Sequence, residues 1–404
     1  MKKDLLARMM QATELTRSGR LADATALIQR ALGRAGTADD GATPSRPSAR
    51  RPVDDIIEGE CVEVNAARDS ADAAPSATPS PRTQPSTGIM DLVRKWRSGA
   101  AQPHAPAAEP AAAQAQAPSQ FIAGQYANAA GERAYKLYVP SNYAAGQSLP
   151  LIVMLHGCTQ DPDDFAAGTQ MNALGEEQRC FVLYAAQSSG ANHSRCWNWF
   201  RREDQARDRG EPSIIAGMTR EIVQRYGVDA RRVYVAGLSA GGAMAAVMAV
   251  TYPELYAAVG IHSGLACGSA HDLPSALAAM RGMPAGLGRT ASNGAASHAT
   301  PTIVFHGDHD RTVHPRNGAN VIAQSEHHEG GPGGQVSSER GQAAGGHAYT
   351  RTVHRDAAGR VLLEHWLVHG GGHAWFGGSQ AGSYTDARGP DASAEMVRFF
   401  LAQA

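Results

Sequence analysis

From Phe121 onward the chain alternates short apolar runs, amphipathic segments and glycine-rich connections. The apolar runs predict strands at residues 134–139, 149–155, 181–184, 233–236, 257–261, 302–306 and 361–368. Helical spacing of apolar residues predicts helices that include residues 214–226, 240–250 and 394–401. Residues 281–300 and the Gly-rich stretch 329–346 predict surface excursions. Strands that alternate with helices indicate the α/β fold class, with a mostly parallel central sheet flanked by helices.

The first 119 residues follow a different pattern. Apolar residues at helical spacing between Leu5 and Leu32 predict an N-terminal helical hairpin over residues 1–33, which either docks a partner or packs on its own chain. Residues 34–119 are rich in Ala, Pro, Ser, Thr and Gln and predict a disordered linker. The folded α/β domain is therefore expected over residues 120–404.

Composition and charge exclude several classes of partner. The chain carries 37 basic and 38 acidic residues, so bulk charge does not favour nucleic acid or an anionic membrane. No continuous apolar stretch approaches the roughly 18 residues that a membrane-spanning helix needs. Asp4, Arg8 and Glu14 interrupt any apolar core of a Sec signal peptide, which makes the cytoplasm the default location.

The strongest chemical motif lies at the end of the apolar run 233–236. Gly237-Leu238-Ser239-Ala240-Gly241 follows this predicted strand and opens a helix of small residues. A G-x-S-x-G motif between a strand and a helix indicates a nucleophile elbow, in which a sharp turn exposes the serine hydroxyl. The sequence therefore predicts Ser239 as a catalytic nucleophile.

A serine nucleophile needs a base and a carboxylate. In folds with a nucleophile elbow these residues follow one another along the chain in the order serine, acid, histidine. Asp310, in the loop after the strand 302–306, is the predicted acid, and Asp308 in the same loop is the alternative. His373 follows three glycines after the last strand and is the predicted base. The nearby His365 and His369 fit packing or surface positions better, and the histidine spacing predicts no metal site.

Hydrolysis through such a serine also needs two N–H donors for the oxyanion. The backbone N–H of Ala240, directly after the nucleophile, is one predicted donor, and that of Cys158, after the strand 149–155, is the other. His156 lies just before Cys158, and its position favours a structural support of this loop over a role as a base.

The motifs LHGCTQDPDDFA, RCWNWF, AGLSAGGAMA, HGDHDRTV and GGGHAWFGG follow one another in this order. With them, residues 121–404 resemble the poly(3-hydroxybutyrate) depolymerase family of esterases, which is related to feruloyl and acetylxylan esterases. The resemblance implies an α/β-hydrolase fold, a triad of Ser239, Asp310 and His373, and no cofactor. Members of this family are often secreted, so an extracellular location is the alternative.

The resemblance leaves the substrate open. An ester of 3-hydroxybutyrate, as oligomer or polymer, is the first expectation, and feruloyl or acetylxylan esters are the alternative. A peptidase of the same fold is a less favoured reading. A non-catalytic adaptor, which binds a polyester granule or a partner through the hairpin, is the second class of function.

For two groups of residues in these motifs the sequence leaves two interpretations open. Trp197, Trp199 and Trp375 form either a substrate pocket or part of the core. Cys158 and Cys196 form either a disulfide between two loops or two buried thiols.

Overall fold

A computed structural model of the chain describes residues 118–283, 300–328 and 334–403, without the side chains of residues 327 and 328. The predicted helical hairpin and the linker up to residue 117 lie outside the described residues, as do residues 284–299 of the first predicted surface excursion.

The described residues form β-strands and α-helices in alternation. The strands are β1 (Gln120–Asn128), β2 (Gly131–Val139), β3 (Leu151–Leu155), β4 (Phe181–Ala185), β5 (Val233–Leu238), β6 (Ala258–His262), β7 (Thr302–Gly307), β8 (Val336–Gln342), β9 (Ala348–Arg355), β10 (Val361–Val368), β11 (Trp375–Phe376) and β12 (Thr385–Asp386). The helices are α1 (Pro162–Thr169), α2 (Met171–Glu177), α3 (Gly210–Tyr226), α4 (Ala240–Thr251), α5 (Leu273–Met280), α6 (Arg316–His328) and α7 (Ala392–Leu401).

The main sheet contains ten of these strands, in the order β1-β2-β4-β3-β5-β6-β7-β10-β9-β8. From β4 to β10 every neighbouring pair is parallel, whereas the pairs at both edges are antiparallel. This arrangement confirms the predicted mostly parallel sheet. The strands β11 and β12 form a separate small sheet.

Both faces of the central strands are buried, which explains their continuous apolar runs. In β3, Leu151 and Val153 belong to a core on one face, and Ile152 and Met154 belong to the core on the other. Helices α3 and α4 contribute to the first core, and α7 contributes Met396, Phe399 and Phe400 to the second. The parallel strands are thus held between two layers of helices, with their carboxyl ends along one edge.

The edges of the sheet depart from the sequence prediction. The strand β8 lies inside residues 329–346, which were expected to be a surface excursion and in which the sequence analysis predicted no strand. The stretch does lie at the surface, since nearly all of β8 is exposed and β8 ends the sheet. Because neither face of β8 is buried, its side chains carry no apolar alternation, and backbone pairing with β9 defines it instead.

A search of the helices in the described ranges found none with the length and apolar character needed to cross a membrane.

Candidate active site

The turn between β5 and α4 presents Ser239 in a strained backbone conformation. Ser239 has φ of 58° and ψ of −117°, a combination rarely adopted by residues other than glycine. Its amide donates to the carbonyl of His262 over 2.9 Å, which ties the turn to the end of β6. The strained conformation sharpens the turn, so that Ser239 stands between the end of the strand and the first residue of the helix.

The glycines of the motif are required by close packing. A Cβ atom on Gly241 would overlap the carbonyl oxygen of Leu155 at the end of β3, and one on Gly237 would overlap the backbone of Gly241. The glycines therefore allow the turn to form against the neighbouring strand, as the motif predicted.

The loop after β7 buries Asp310 and surrounds its carboxylate with donors. One oxygen, Oδ1, accepts the amides of Thr312 and Val313 over 2.9 and 2.8 Å. The other, Oδ2, lies 2.7 Å from Nδ1 of His373 and 3.5 Å from Nε2 of His306. Burial alone raises the pKa of Asp310, but the hydrogen bonds from His306 and His373 and the charge of His373 outweigh it, so the pKa lies well below its usual range. Asp310 is therefore a carboxylate at neutral pH.

The glycine-rich loop after β10 brings His373 to Asp310. The Asp310 carboxylate can only accept, so Nδ1 of His373 carries the proton and Nε2 has a free lone pair. The side chain of His373 retains 13% exposure. In the described part of the chain the Ser239 hydroxyl has no hydrogen-bond partner, His373 included. Such contacts often shorten only when substrate binds.

Asp308 has a different partner. Its carboxylate contacts Nδ1 of His369 over 2.9 Å and accepts the amide of Gly370 over 2.7 Å. Nε2 of His369 lies 2.9 Å from the hydroxyl of Thr350 on β9. The structure thus brings Asp310, and not Asp308, to His373, while Asp308 fastens the start of the glycine-rich loop.

The two predicted oxyanion donors belong to neighbouring loops. Ala240 is the first residue of α4, so its N–H has no acceptor within the helix. The N–H of Cys158 donates to no acceptor among the residues that the structure describes. Cys158 follows β3, and Leu155 of β3 pairs with Gly237 of β5. Both free N–H groups therefore lie at the same edge of the sheet as Ser239.

A disulfide joins Cys158 to Cys196 and links the loop of residues 156–160, here called the oxyanion loop, to the tryptophan-rich loop of residues 195–200. The amide of Thr159 also donates to the carbonyl of Ser194 over 2.7 Å. The peptide next to the Cys158 donor is thus held by a covalent bond and a hydrogen bond. The sequence left a disulfide and two buried thiols as alternatives, and the structure contains the disulfide.

Replacing both Cys158 and Cys196 with alanine is expected to lower the free energy of unfolding by about 3 to 4 kcal/mol, because the bond closes a loop across 38 residues. Urea unfolding with and without reductant measures this loss. The double variant is its own control, since reductant should destabilise only the wild-type protein. Equal sensitivity of the two proteins to reductant would argue against the disulfide.

His156 is buried and both of its ring nitrogens are occupied. Nε2 accepts the amide of Gln187 over 3.0 Å, so Nδ1 carries the proton and donates to the Gly157 carbonyl over 2.7 Å. The carbonyl of His156 accepts the indole N–H of Trp197 over 3.1 Å. These contacts leave no nitrogen free to act as a base and favour the supporting role in the oxyanion loop.

Acid is expected to destabilise the fold through buried histidines. Burial lowers the pKa of His156 and of His365 from 6.5 to about 4. The unfolded chain therefore takes up protons that the folded chain does not, so stability is fully present above pH 6.5 and is lost as the pH falls toward 4. Each of these histidines should lower the free energy of unfolding by about 2 kcal/mol between pH 7 and pH 5.

The variant His365→Leu isolates one of these contributions. In the described residues, Nε2 of His365 is buried without a hydrogen-bond partner, so leucine should be tolerated. Between pH 7 and pH 5, the free energy of unfolding of this variant, measured in urea, should fall by about 2 kcal/mol less than that of the wild type. An unchanged difference between the two pH values would contradict this contribution.

His262 and His306 are functional candidates that the sequence analysis missed. The His262 carbonyl holds the Ser239 amide, and its Nε2 accepts the amide of Phe376, three residues after His373. Nε2 of His306 lies 2.7 Å from the carbonyl of Val313 and supports the loop of Asp310. His262 is the last residue of β6 and His306 the last but one of β7, and this position at the carboxyl edge of the sheet is the signal that could have identified them.

The three tryptophans that were considered as pocket residues are buried. Trp197 and Trp375 have 0% and 1% exposure, and Trp199 has 6%. The indole of Trp375 donates to Ser393 and stacks on His262. This burial favours the core-packing reading of all three, and their pocket role stays a prediction.

No cluster of three or more potential metal ligands occurs within the described ranges of the chain.

Comparisons with known proteins show which fold this arrangement shares and which family model part of the chain matches. The fold matches the structure of an acetyl xylan esterase from Aspergillus awamori with a TM-score of 0.55, at 21% identity, over 70% of this chain and 99% of that one. The described domain is therefore an α/β hydrolase in its fold. Residues 133–333 match the family model described as Esterase PHB depolymerase.

Two relatives show the extent of the similarity. The chain is 33% identical over 243 residues to poly(3-hydroxyalkanoate) depolymerase C of Paucimonas lemoignei, across 58% of this chain and 57% of that protein. It is 29% identical over 211 residues to acetylxylan esterase A of Talaromyces purpureogenus, across 49% of this chain and 54% of that protein. The chain thus spans little more than half the length of either relative.

Proposed function

We propose that this protein is a serine esterase that hydrolyses carboxylic esters through Ser239, His373 and Asp310, within a catalytic domain of residues 120–404. The observation that carries the proposal is the 2.7 Å contact between His373 and the buried Asp310 carboxylate, at the edge of the sheet where the strained Ser239 turn ends β5. The match of residues 133–333 to an esterase family model supports the same activity.

The mechanism follows from the protonation states. Nε2 of His373 takes the hydroxyl proton as Ser239 Oγ forms a bond to the ester carbonyl carbon. The amides of Cys158 and Ala240 stabilise the oxyanion. Collapse of the tetrahedral intermediate breaks the bond to the alcohol, which receives the proton from His373 and leaves an acyl-enzyme. Water, activated by the same histidine, releases the carboxylic acid and restores Ser239, while Asp310 stabilises the charged imidazole.

The proposed substrates are esters of 3-hydroxyalkanoates, as oligomers or polymer. The similarity to a poly(3-hydroxyalkanoate) depolymerase covers a longer segment, at higher identity, than that to an acetylxylan esterase. Feruloyl or acetylxylan esters remain the alternative, since esterases named for both are among the relatives.

A panel of ethyl acetate, 3-hydroxybutyrate trimer, acetylated xylan and methyl ferulate tests the substrate class. We expect the highest kcat/KM with the trimer, followed by release of acid in a pH-stat. A higher value with acetylated xylan or methyl ferulate would move the assignment to the alternative. A fluorophosphonate probe that fails to label Ser239 would favour a non-catalytic adaptor.

We also propose that the protein folds in an oxidising compartment. The bond between Cys158 and Cys196 supports the extracellular alternative over the cytoplasmic default, because cytosolic thiols are kept reduced.

A further inference from the structure

We propose that Tyr384 determines which esters this protein accepts: its exposed ring, held beside the oxyanion loop, contacts the part of an aliphatic oligoester that extends beyond the scissile bond. This inference rests on the proposed esterase function. Tyr384 directly precedes β12 and is 47% exposed. Among the large apolar side chains that the described residues expose, it is the aromatic one.

The backbone of Tyr384 is held in an unfavourable conformation. Its φ is 54°, in the left-handed region that bulky residues rarely occupy. The Tyr384 carbonyl accepts the amide of Trp375 over 2.7 Å, and the preceding Ser383 donates from its amide and its hydroxyl to the carboxylate of Asp164. Such strain persists only where the surroundings over-determine it, and it concentrates at functional sites.

The side chain of Tyr384 is fixed to the oxyanion loop. Its hydroxyl lies 3.1 Å from the hydroxyl oxygen of Thr159, and Thr159 donates its single proton to the carbonyl of Cys158 over 2.6 Å. Tyr384 is therefore the donor in the contact with Thr159. A chain of two hydrogen bonds thus connects the exposed ring to the residue whose N–H is the proposed oxyanion donor.

The position of the ring relates it to a bound substrate. Trp375, which holds the Tyr384 carbonyl, lies two residues after His373, and Thr159 lies one residue after Cys158. The ring therefore lies between the loop of the base and the loop of the oxyanion donor. We therefore expect the chain of an ester whose carbonyl oxygen binds at Cys158 to extend toward this ring.

The chemistry of the ring defines the ligand. An exposed aromatic face offers apolar contact area at little cost in side-chain entropy, which suits the methyl and methylene groups of an aliphatic ester chain. The ring of Tyr384 is only half-buried, so part of its apolar surface is available for contact with a ligand. A short ester such as ethyl acetate has no chain to reach it.

The experiment compares Tyr384→Ala and Tyr384→Phe with the wild type on 3-hydroxybutyrate trimer and on ethyl acetate. We expect Tyr384→Ala to raise KM for the trimer about 10-fold or more, in the range of a lost apolar pocket contact, while kcat/KM for ethyl acetate changes less than about 3-fold. Tyr384→Phe keeps the ring and should retain most of the affinity for the trimer.

A binding measurement separates the contact from turnover. Calorimetric titration with the trimer compares Ser239→Ala with the double variant Ser239→Ala and Tyr384→Ala. The double variant should have a Kd for the trimer raised by about the same factor as KM. Equal losses on both esters would assign Tyr384 to loop positioning, and no loss on either would remove it from the site. A wild-type protein that hydrolyses none of these esters would instead overturn the proposed function itself.

Discussion

Replacing Ser239 with alanine is expected to lower kcat for ester hydrolysis by about 10⁶-fold, the scale on which loss of a nucleophilic serine acts in serine hydrolases. The hydroxyl at the turn after β5 is the atom that forms the acyl-enzyme, and no other group in the proposed mechanism replaces it. The variant should keep its melting temperature, because the Ser239 hydroxyl makes no hydrogen bond in the described part of the chain. Initial rates on 3-hydroxybutyrate trimer and thermal unfolding measure the two effects.

The matched control is Ser338→Ala on the exposed edge strand β8, which removes a hydroxyl outside the site. This variant should retain wild-type activity and labelling by a fluorophosphonate probe. Retention of full activity by Ser239→Ala would refute the proposed nucleophile, and a large loss of stability in it would indicate a structural role.

Replacing Asp310 with asparagine is expected to lower kcat about 10⁴-fold. Nδ1 of His373 donates to the Asp310 carboxylate over 2.7 Å. An amide that presents its NH₂ group to this nitrogen favours the opposite tautomer of His373, whose Nε2 is protonated and unable to accept a proton. Because its hydrogen bonds keep the pKa of Asp310 well below the usual range, the carboxylate persists at every pH where the enzyme is assayed, and the loss should extend across the pH profile.

Asp308→Asn is the matched control, since it makes the same chemical change two residues away. Asp308 contacts His369 and Gly370, so its loss should affect the glycine-rich loop without changing the tautomer of His373. We expect a loss in kcat far smaller than that of Asp310→Asn. A larger loss for Asp308→Asn, measured under the same conditions, would reverse the choice of the acid.

Much of the sheet could be predicted because its central strands are buried on both faces. Strands such as β3, β5 and β7 are continuous apolar runs, and such runs are visible in a single sequence. The edge strand β8 could not be predicted, because its exposed residues show no apolar alternation and its pairing depends on the backbone of β9.

The active site likewise contains residues that could be predicted from the sequence and residues that could not. Ser239 could be predicted from local residues, because the sharp turn needs glycine at positions 237 and 241 wherever the chain folds in this way. The contacts of His262 with Ser239 and Phe376 join residues far apart in the sequence, and no local pattern encodes them.

The amino-acid sequence by itself determined the succession of strands and helices and the turn that presents Ser239, because periodicity and the steric demands of glycine act between near neighbours. The tertiary structure decided that Asp310 rather than Asp308 reaches His373, that Cys158 bonds to Cys196, and that Trp375 is packed inside. The physical reason is that each of these depends on which loops meet at the carboxyl edge of the sheet, and the folding of the whole domain sets that meeting.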